Sequence, residues 1–206
     1  RTRTVVHYGD NLWETRWHDG NKLFLADFVF AFILGFDRAN PKSPIFDEAA
    51  VPALKTFLSH FRGARILEKN PLVVEIYSDQ IFPDAETIAA TRASDFYTNV
   101  PWHELALGVL AERSRQLAFS ASQAVRLRVQ WLSYISGPSL PILDRELAAA
   151  MKESFIPYRQ TLGEYATHQE ATERYEKLRA WRQTRHHFWV SNGPFYLYSV
   201  HPVEKI

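Results

Sequence analysis

Residues 65–77 read Arg-Ile-Leu-Glu-Lys-Asn-Pro-Leu-Val-Val-Glu-Ile-Tyr, and their periodicity separates this chain from an all-helical one. From Leu72 to Tyr77 the side chains follow the two-residue period of a β-strand, in which successive side chains point to opposite faces. Pro71 has no N–H to donate, so it suits the start of a strand. The stretch predicts an antiparallel hairpin in which Arg65–Glu68 pairs with Leu72–Tyr77.

On both sides of this hairpin, apolar residues recur mainly at helical spacing. Helices are predicted over Leu23–Arg38, Phe46–His60, Asp84–Arg92, Trp102–Arg115, Ser120–Ser136, Ile142–Ser154 and Thr167–His186. Gly63 is expected to end the second of them. Further strands are predicted at Val5–Tyr8 and at Phe195–Val200. The expected fold is therefore α+β and predominantly helical, with a small, mainly antiparallel sheet.

The last predicted helix carries a stripe of apolar residues at spacings of three and four, which indicates its buried face. The stripe consists of Ala171, Tyr175, Leu178 and Trp181. The charged residues on its other faces, Arg174 among them, are expected to face solvent and to form helical ion pairs.

Composition and charge exclude several classes of function. The 24 basic and 23 acidic side chains nearly cancel, so the chain lacks the positive excess that holds nucleic acid. It contains no cysteine, which excludes a disulfide scaffold and thiolate metal sites. The apolar run Leu23–Phe36 is shorter than the roughly 20 residues that span a bilayer. Asp27 and Gly35 interrupt this run, which predicts a helix buried on most faces.

Residue spacing shows no catalytic constellation. His103-Glu104 begins like a zinc-protease motif, but Leu107 stands where the second histidine must lie, one helical turn later. The sequence has neither a Gly-x-Ser-x-Gly nucleophile elbow nor a glycine-rich phosphate loop. Two other pairs lack a third ligand and are interpreted as ordinary residues: Glu164 with His168, and His186 with His187. We therefore expect no enzyme, no cofactor and no metal site.

Residues 17–30 read Trp-His-Asp-Gly-Asn-Lys-Leu-Phe-Leu-Ala-Asp-Phe-Val-Phe. They resemble the signature of the family 5 extracellular solute-binding proteins, the receptors of peptide- and nickel-type ABC importers. In that family an aromatic-x-Asp-Gly turn precedes a helix that begins Thr-Ala-x-Asp-Val. The residues that match most closely are Trp17, Asp19, Gly20 and Asp27, and a structural role is expected for them.

The match departs from the family pattern at Phe24, which stands in place of a threonine. That threonine resembles an N-cap that completes a capping box with the aspartate three residues later. Phe24 has no side-chain acceptor. We therefore expect the start of this helix to be stabilised differently, by Asp19 or by Asp27.

A second motif lies near the end of the chain, at residues 191–197, Ser-Asn-Gly-Pro-Phe-Tyr-Leu. It is similar to the Gly-Thr-Gly-Pro-Tyr strand entry of the same family, through Gly193, Pro194 and the aromatic Phe195. Between the two motifs, Leu72–Pro83 is similar to the family's passage from a valine-rich strand through a proline into a helix. The three landmarks occur in the family's order.

The resemblance implies capture of a solute, a peptide in the first instance, outside the cytoplasmic membrane. Such a receptor encloses the solute between two lobes and delivers it to ABC permease subunits. It would be periplasmic or attached to the cell surface, for example through a lipid anchor. The expected partners are the solute, a remaining lobe of the same protein and the permease, with no nucleic acid. The ligand-contacting residues are not assigned by the resemblance.

The resemblance also suggests an organisation for residues 1–206, as one lobe excised from a larger two-lobe receptor. Residues 1–100 would form a family-like α+β part of a periplasmic-binding-protein-like lobe. Residues 101–190 would be a helical, insertion-like part, and residues 191–206 a closing strand. The alternative is a helical protein–protein interaction domain with no transport role, favoured by the long helical stretch.

Overall fold

A computed structural model describes residues 1–95 and 98–200 of the chain. Strands β1 (Thr2–His7), β2 (Phe61–Lys69) and β3 (Leu72–Ser78) form a sheet in the order β1-β3-β2, with both neighbouring pairs antiparallel. The predicted hairpin is confirmed, with Arg65 opposite Glu75 across the β2–β3 pair.

Helices outweigh strands in the described part of the chain. They are α1 (Leu25–Arg38), α2 (Val51–His60), α3 (Ala85–Ser94), α4 (Trp102–Arg113), α5 (Ala121–Leu127), α6 (Ser139–Glu153), α7 (Arg159–Leu162) and α8 (His168–Arg185). Single 3-10 turns occur at Leu12–Glu14 and Glu48–Ala50. Two short strands, β4 (Leu117–Ala118) and β5 (Gln130–Trp131), form a parallel pair. The predicted class is confirmed: the fold is α+β and predominantly helical, with a small and mainly antiparallel sheet.

The hydrophobic core lies between the sheet and the long helices, and α1 crosses its centre. Leu72, Val74 and Ile76 of β3 turn one face of the sheet into this core, as the alternation predicts. Phe28 and Phe30 of α1 are almost fully buried in it. Residues of α4, α6 and α8 complete the same core: Trp102, Leu107, Leu143, Leu147, Tyr175 and Leu178.

Burial along α1 is uneven. Its first six residues, 25–30, and Leu34 are buried, whereas most of its second half is only half-buried. Of the helices in residues 1–95 and 98–200, none is both long and apolar enough to cross a membrane.

The helix predicted over Ser120–Ser136 is less than half as long in the structure. Helix α5 stops at Leu127, and Arg128 takes a left-handed conformation with φ of +57°. The chain then forms β5 beside β4, and the N–H of Leu132 donates to the O of Ala118 at 2.9 Å. The β-prone run from residue 129 to 132 explains why pairing replaces helix there.

Two other sequence-based expectations are wrong. Gly63 does not end a helix, because α2 stops at His60 and β2 starts at once; Gly63 lies at a register shift in β2 with φ of +146°. Phe195–Val200 is not a strand, since these residues lie outside both described sheets. The end of the expected closing strand, residues 201–206, lies outside the described residues.

Candidate functional site

The turn at residues 17–20 has the tight geometry predicted from the sequence. The N–H of Gly20 donates to the O of Trp17 at 2.9 Å, and Gly20 has φ of +85°, which glycine adopts without a Cβ clash. Asp19 Oδ1 accepts the N–H of Asn21 at 2.9 Å. Trp17 is 2% exposed, and its indole N–H donates to Asp27 of α1 at 3.3 Å. Trp17 therefore packs against the start of this helix.

Asp27 is a fully buried carboxylate that joins the start of α1 to the start of α4. Its Oδ2 accepts the N–H of Phe24 at 2.9 Å, which caps α1 without a side-chain acceptor at Phe24. Its Oδ1 accepts the N–H of Trp102 at 2.9 Å. Asp19 and Asp27 were both expected as candidates to stabilise the start of α1, and Asp27 is the one that accepts the N–H of Phe24.

Arg174 of α8 pairs with Asp27 in the interior. Its two terminal nitrogens lie 2.8 and 3.0 Å from the two carboxylate oxygens, a bidentate arrangement. The guanidinium also donates to the O of Lys22 at 2.7 Å and lies over the rings of Phe24 and Trp102. Arg174 is 2% exposed, so the expectation that it faces solvent is wrong.

His103 continues this chain of polar contacts towards the turn. Its Nδ1 lies 3.0 Å from an Arg174 nitrogen, and its Nε2 lies 2.7 Å from Asp19 Oδ2. Because a guanidinium only donates, Nδ1 accepts and the proton sits on Nε2, which donates to Asp19. Asp19, His103, Arg174 and Asp27, which we call the buried network, therefore connect the turn, α1, α4 and α8.

The buried network holds Asp19 in its charged form. Burial alone would raise the pKa of Asp19, but its interaction with His103 and two hydrogen bonds from Asn21 outweigh burial and lower it. Asp19 and His103 superficially form the acid–histidine half of a catalytic triad. Both side chains are fully buried, however, and Arg174 occupies the histidine nitrogen that would have to face a nucleophile.

The second motif packs directly on the first, although the two are far apart in sequence. The N–H of His18 donates to the O of Ser191 at 2.9 Å. The His18 ring nitrogen Nε2 donates to the O of Gly193 at 3.1 Å, across 175 residues of chain. Gly193 has φ of +109°, which favours glycine. Pro194 and Phe195 are exposed, and Phe195 exposes 88% of its surface.

Glu104, next to His103, anchors the segment that leads into the second motif. Its Oε2 accepts the N–H of Val190 at 2.8 Å, and its Oε1 has no hydrogen-bond partner among the described residues. The side chain is fully buried. Burial raises the pKa of Glu104 well above its ordinary value, and the negative charge of Asp19 acts in the same direction.

Residues 188–200, which we call the C-terminal arm, lie along the end of α8. Arg185 inserts its guanidinium among three aromatic rings, 5.5 Å from Trp181, 4.7 Å from Tyr196 and 4.9 Å from Tyr198. His187 Nε2 donates to the O of Leu197 at 2.9 Å. Side chains of α8 and its C-terminus thus hold the arm together with Glu104, which bonds Val190, and His18, which bonds Ser191 and Gly193. No strand ladder among the described residues includes the arm.

The two members of each pair considered for metal binding lie in different local surroundings. Glu164 precedes α8, whereas His168 is its first residue and hydrogen-bonds the O of Ser154. His186 caps α8 in a left-handed conformation, while His187 is buried against the arm. Within residues 1–95 and 98–200, no three His, Asp or Glu side chains are grouped as a metal site requires.

The sequence pointed to half of the buried network and missed the other half. The motif supplied Asp19 and Asp27, and the structure places both within hydrogen-bond reach of His103 or Arg174. Arg174 lies three residues after Ala171 and four before Leu178, a helical spacing that could have placed it on the buried face and not among the solvent-facing charges. An arginine at such a position signals a buried acidic partner.

No protein-family model matches the chain, and no curated protein matches it.

Proposed function

We propose that this chain is part of the receptor of an ABC-type importer and takes part in capturing a solute, a peptide in the first instance, outside the cytoplasmic membrane. The observation that carries the proposal is the contact of His18 with Ser191 and Gly193. Two short motifs that match one family signature by chance would have no reason to meet in space. Their contact supports one structural unit built on that signature.

The motif residues would act as the scaffold of this receptor. Three of them, Trp17, Asp19 and Asp27, have buried side chains whose polar groups hydrogen-bond to partners inside the fold. Gly20 supplies the left-handed turn that places them. The solute contacts would then come from residues outside the buried network.

The chemistry of the buried network supports binding rather than catalysis. A hydrolase of the acid–histidine type needs a histidine nitrogen that can take a proton from a nucleophile. In His103 one nitrogen faces Arg174 and the other faces Asp19. A solute receptor makes and breaks no bond, so it needs no such free nitrogen.

A helical interaction domain is the second candidate, and the C-terminal arm favours it. Trp189, Phe195 and Tyr198 expose 40%, 88% and 69% of their surface. Clustered exposed aromatic side chains are typical of protein–protein contacts. In the receptor proposal, the remaining lobe of the same protein would cover them.

The test uses the product of the complete gene. Its location is determined by cell fractionation, and its binding of two- to five-residue peptides is measured by calorimetric titration, with mass spectrometry of each peptide before and after. We expect an extracytoplasmic protein that binds peptides saturably and leaves them intact. Cleaved peptides would contradict the proposal, and so would a cytoplasmic protein with no affinity for peptides or other small solutes.

A further inference from the structure

Helices α1 and α2 stand apart and leave a cavity of 530 Å³ between them. Helix α2 has no buried residue, so it does not close onto the core. Phe57 holds it in place through edge contacts with Phe32 and Phe36 and a stacked contact with Phe61, with ring centroids 4.5 Å apart in the last pair. The volume lies in the range of about 300–1,000 Å³ that small-molecule sites occupy.

Aromatic side chains form the walls of the cavity, and small residues lie at its opening. Phe32, Phe36 and Phe57 supply rings, while Gly35 and Ala53 face the opening from the two helices. A Cβ added to Gly35 would meet no atom of the described residues within 4 Å. Small residues on both helices therefore keep open a space that larger side chains would fill.

The charged groups at the cavity already have partners. Among the described lining residues these are Arg38, Asp47 and Asp95. Arg38 pairs with Asp47 at 2.6 Å, and Asp95 lies 2.9 Å from Arg92, so each charge has an opposite charge beside it. Among the buried charged atoms of these described lining residues, only Arg38 Nε and Asp95 Oδ2 have no hydrogen-bond partner. An occupant with its own charge would find no free counter-charge there, and burying an unpaired charge is costly. The complementary occupant is uncharged.

The shape of the surface favours a small molecule over a protein segment. Within α1 and α2, both fully described, Leu58 is the one large apolar side chain among the exposed hydrophobic residues. The aromatic rings are recessed between the helices and do not protrude as an apolar patch. A protein-docking face would present protruding anchors or a broad apolar surface.

We propose that this cavity binds one small, uncharged aromatic molecule of about two or three rings, at a site independent of solute capture by the proposed receptor. The ligand would stack on Phe32, Phe36 and Phe57 and would fill the space beside Gly35 and Ala53. Binding would remove apolar surface of both partners from water.

The test compares two fluorescent probes that differ by one charge. N-phenyl-1-naphthylamine is uncharged, and 8-anilino-1-naphthalenesulfonate has the same rings with a sulfonate. We expect the neutral probe to bind the chain saturably at one site. The anion should bind at least about tenfold more weakly, which corresponds to a difference of about 1.4 kcal/mol in binding free energy. Equal affinity for the two probes, or no saturable binding of the neutral probe, would overturn the proposal.

Matched variants locate the site. Ala53→Trp adds an indole at a position that lines the cavity, and Thr56→Trp adds one at an exposed position of the same helix that does not line it. We expect Ala53→Trp to weaken binding of the neutral probe about tenfold or more, and Thr56→Trp to change it less than about twofold. An affinity that Ala53→Trp leaves unchanged, or that both variants reduce equally, contradicts the assignment.

If circular dichroism shows that Ala53→Trp does not fold, Gly35→Leu replaces it, because a leucine at this position of α1 fills the same space. The unmodified chain provides a measurement that needs no variant. Adding the neutral probe should shift the methyl NMR signals of Ala31, Ala53 and Leu54, which line the cavity, and leave those of Met151 and Ala148 in place. Shifts confined to Met151 and Ala148 would place the probe elsewhere and refute the site.

Discussion

Arg174 and Asp27 form an ion pair with almost no solvent access on either side. Each charge is neutralised by the other, and further bonds to Trp102, Phe24 and Lys22 satisfy most of the remaining donors and acceptors. Removing one partner leaves a buried charge without compensation. We expect Arg174→Met to lower the free energy of unfolding by about 3–5 kcal/mol in urea denaturation.

The double variant Asp27→Leu with Arg174→Met tests whether the lost stability comes from the orphaned charge. It should recover part of the loss, because neither charge then remains buried. Arg182→Met is the matched control on the same helix, since Arg182 pairs with the partly exposed Asp144 and such pairs contribute at most about 1 kcal/mol. A loss for Arg174→Met no larger than for Arg182→Met would contradict the role assigned to the pair.

Glu104 gives the fold a dependence on pH. Its pKa is raised in the folded state by burial, so its contribution to stability is fully present below the unfolded pKa of about 4.3 and is lost as pH rises through the folded value. Glu104→Gln stays neutral and keeps an oxygen for the N–H of Val190. We therefore expect the variant to gain stability relative to the wild type as pH increases above about 5.

The measurement is urea denaturation of both proteins at several pH values between about 4 and 9. Glu176→Gln on α8 is the control, because Glu176 is exposed and the same substitution there should give a difference that hardly varies with pH. A constant difference between wild type and Glu104→Gln across this range would show that Glu104 does not titrate as proposed.

At the scale of elements, the C-terminal arm depends on Arg185 of α8. The guanidinium contacts the rings of Tyr196 and Tyr198 and also donates to the hydroxyl of Tyr196 at 3.3 Å. Each cation–π contact at such an exposed place contributes about 0.5–1 kcal/mol. We expect Arg185→Ala to speed amide hydrogen exchange across residues 194–200 about five- to tenfold, measured by mass spectrometry.

Arg179→Ala is the control for the arm, because Arg179 is exposed on α8 in the preceding part of the helix. It should leave exchange of the arm unchanged. If Arg185→Ala also has no effect, the bond of His187 to Leu197 and the backbone contacts of Phe188 and Val190 hold the arm without the aromatic contacts.

Helices and strands that are determined by their own residues were predictable from the sequence. Those that depend on residues distant in sequence were not. The hairpin follows from the alternation in Leu72–Tyr77, and α8 from its apolar stripe and the capping box of Thr167 with Glu170. The end of α5 depends on the pairing of Gln130–Trp131 with β4, and the residues of the helix itself do not predict that pairing. A strand was expected over Phe195–Val200, directly after Gly193 and Pro194, but no described strand lies beside these residues.

At the scale of the whole molecule, the buried network was also only partly predictable from the sequence. Asp19 and Asp27 stood out because they lie in one short motif, whereas His103 and Arg174 follow them by 84 and 147 residues. A buried charge needs an opposite charge, so the motif required a cationic or hydrogen-bonding partner somewhere in the fold. Only the packing of α4 and α8 on α1 identifies which residues meet that need.

In the receptor that we propose, this chain would supply one side of the solute site. A two-lobe receptor encloses its solute from both sides, and well-bound small ligands bury about 70–90% of their surface. The acidic residue that holds a peptide's amino group would lie in the other lobe of the receptor that we propose. A charge-assisted hydrogen bond of this kind contributes about 1.5–3 kcal/mol. Since about 1.4 kcal/mol corresponds to a factor of ten, its loss alone weakens binding about ten- to a hundredfold.

We therefore expect the chain of residues 1–206 to bind peptides at least about tenfold more weakly than the complete gene product does, and this difference tests the division of the site between two lobes. Calorimetric titration of both proteins with the same peptide mixture measures it. Circular dichroism of the shorter chain must show a cooperative unfolding transition, so that weak binding is not mistaken for an unfolded protein. Equal affinities, at about 1 µM or tighter, would mean that the described residues hold a complete solute site, and the two-lobe proposal would have to be abandoned.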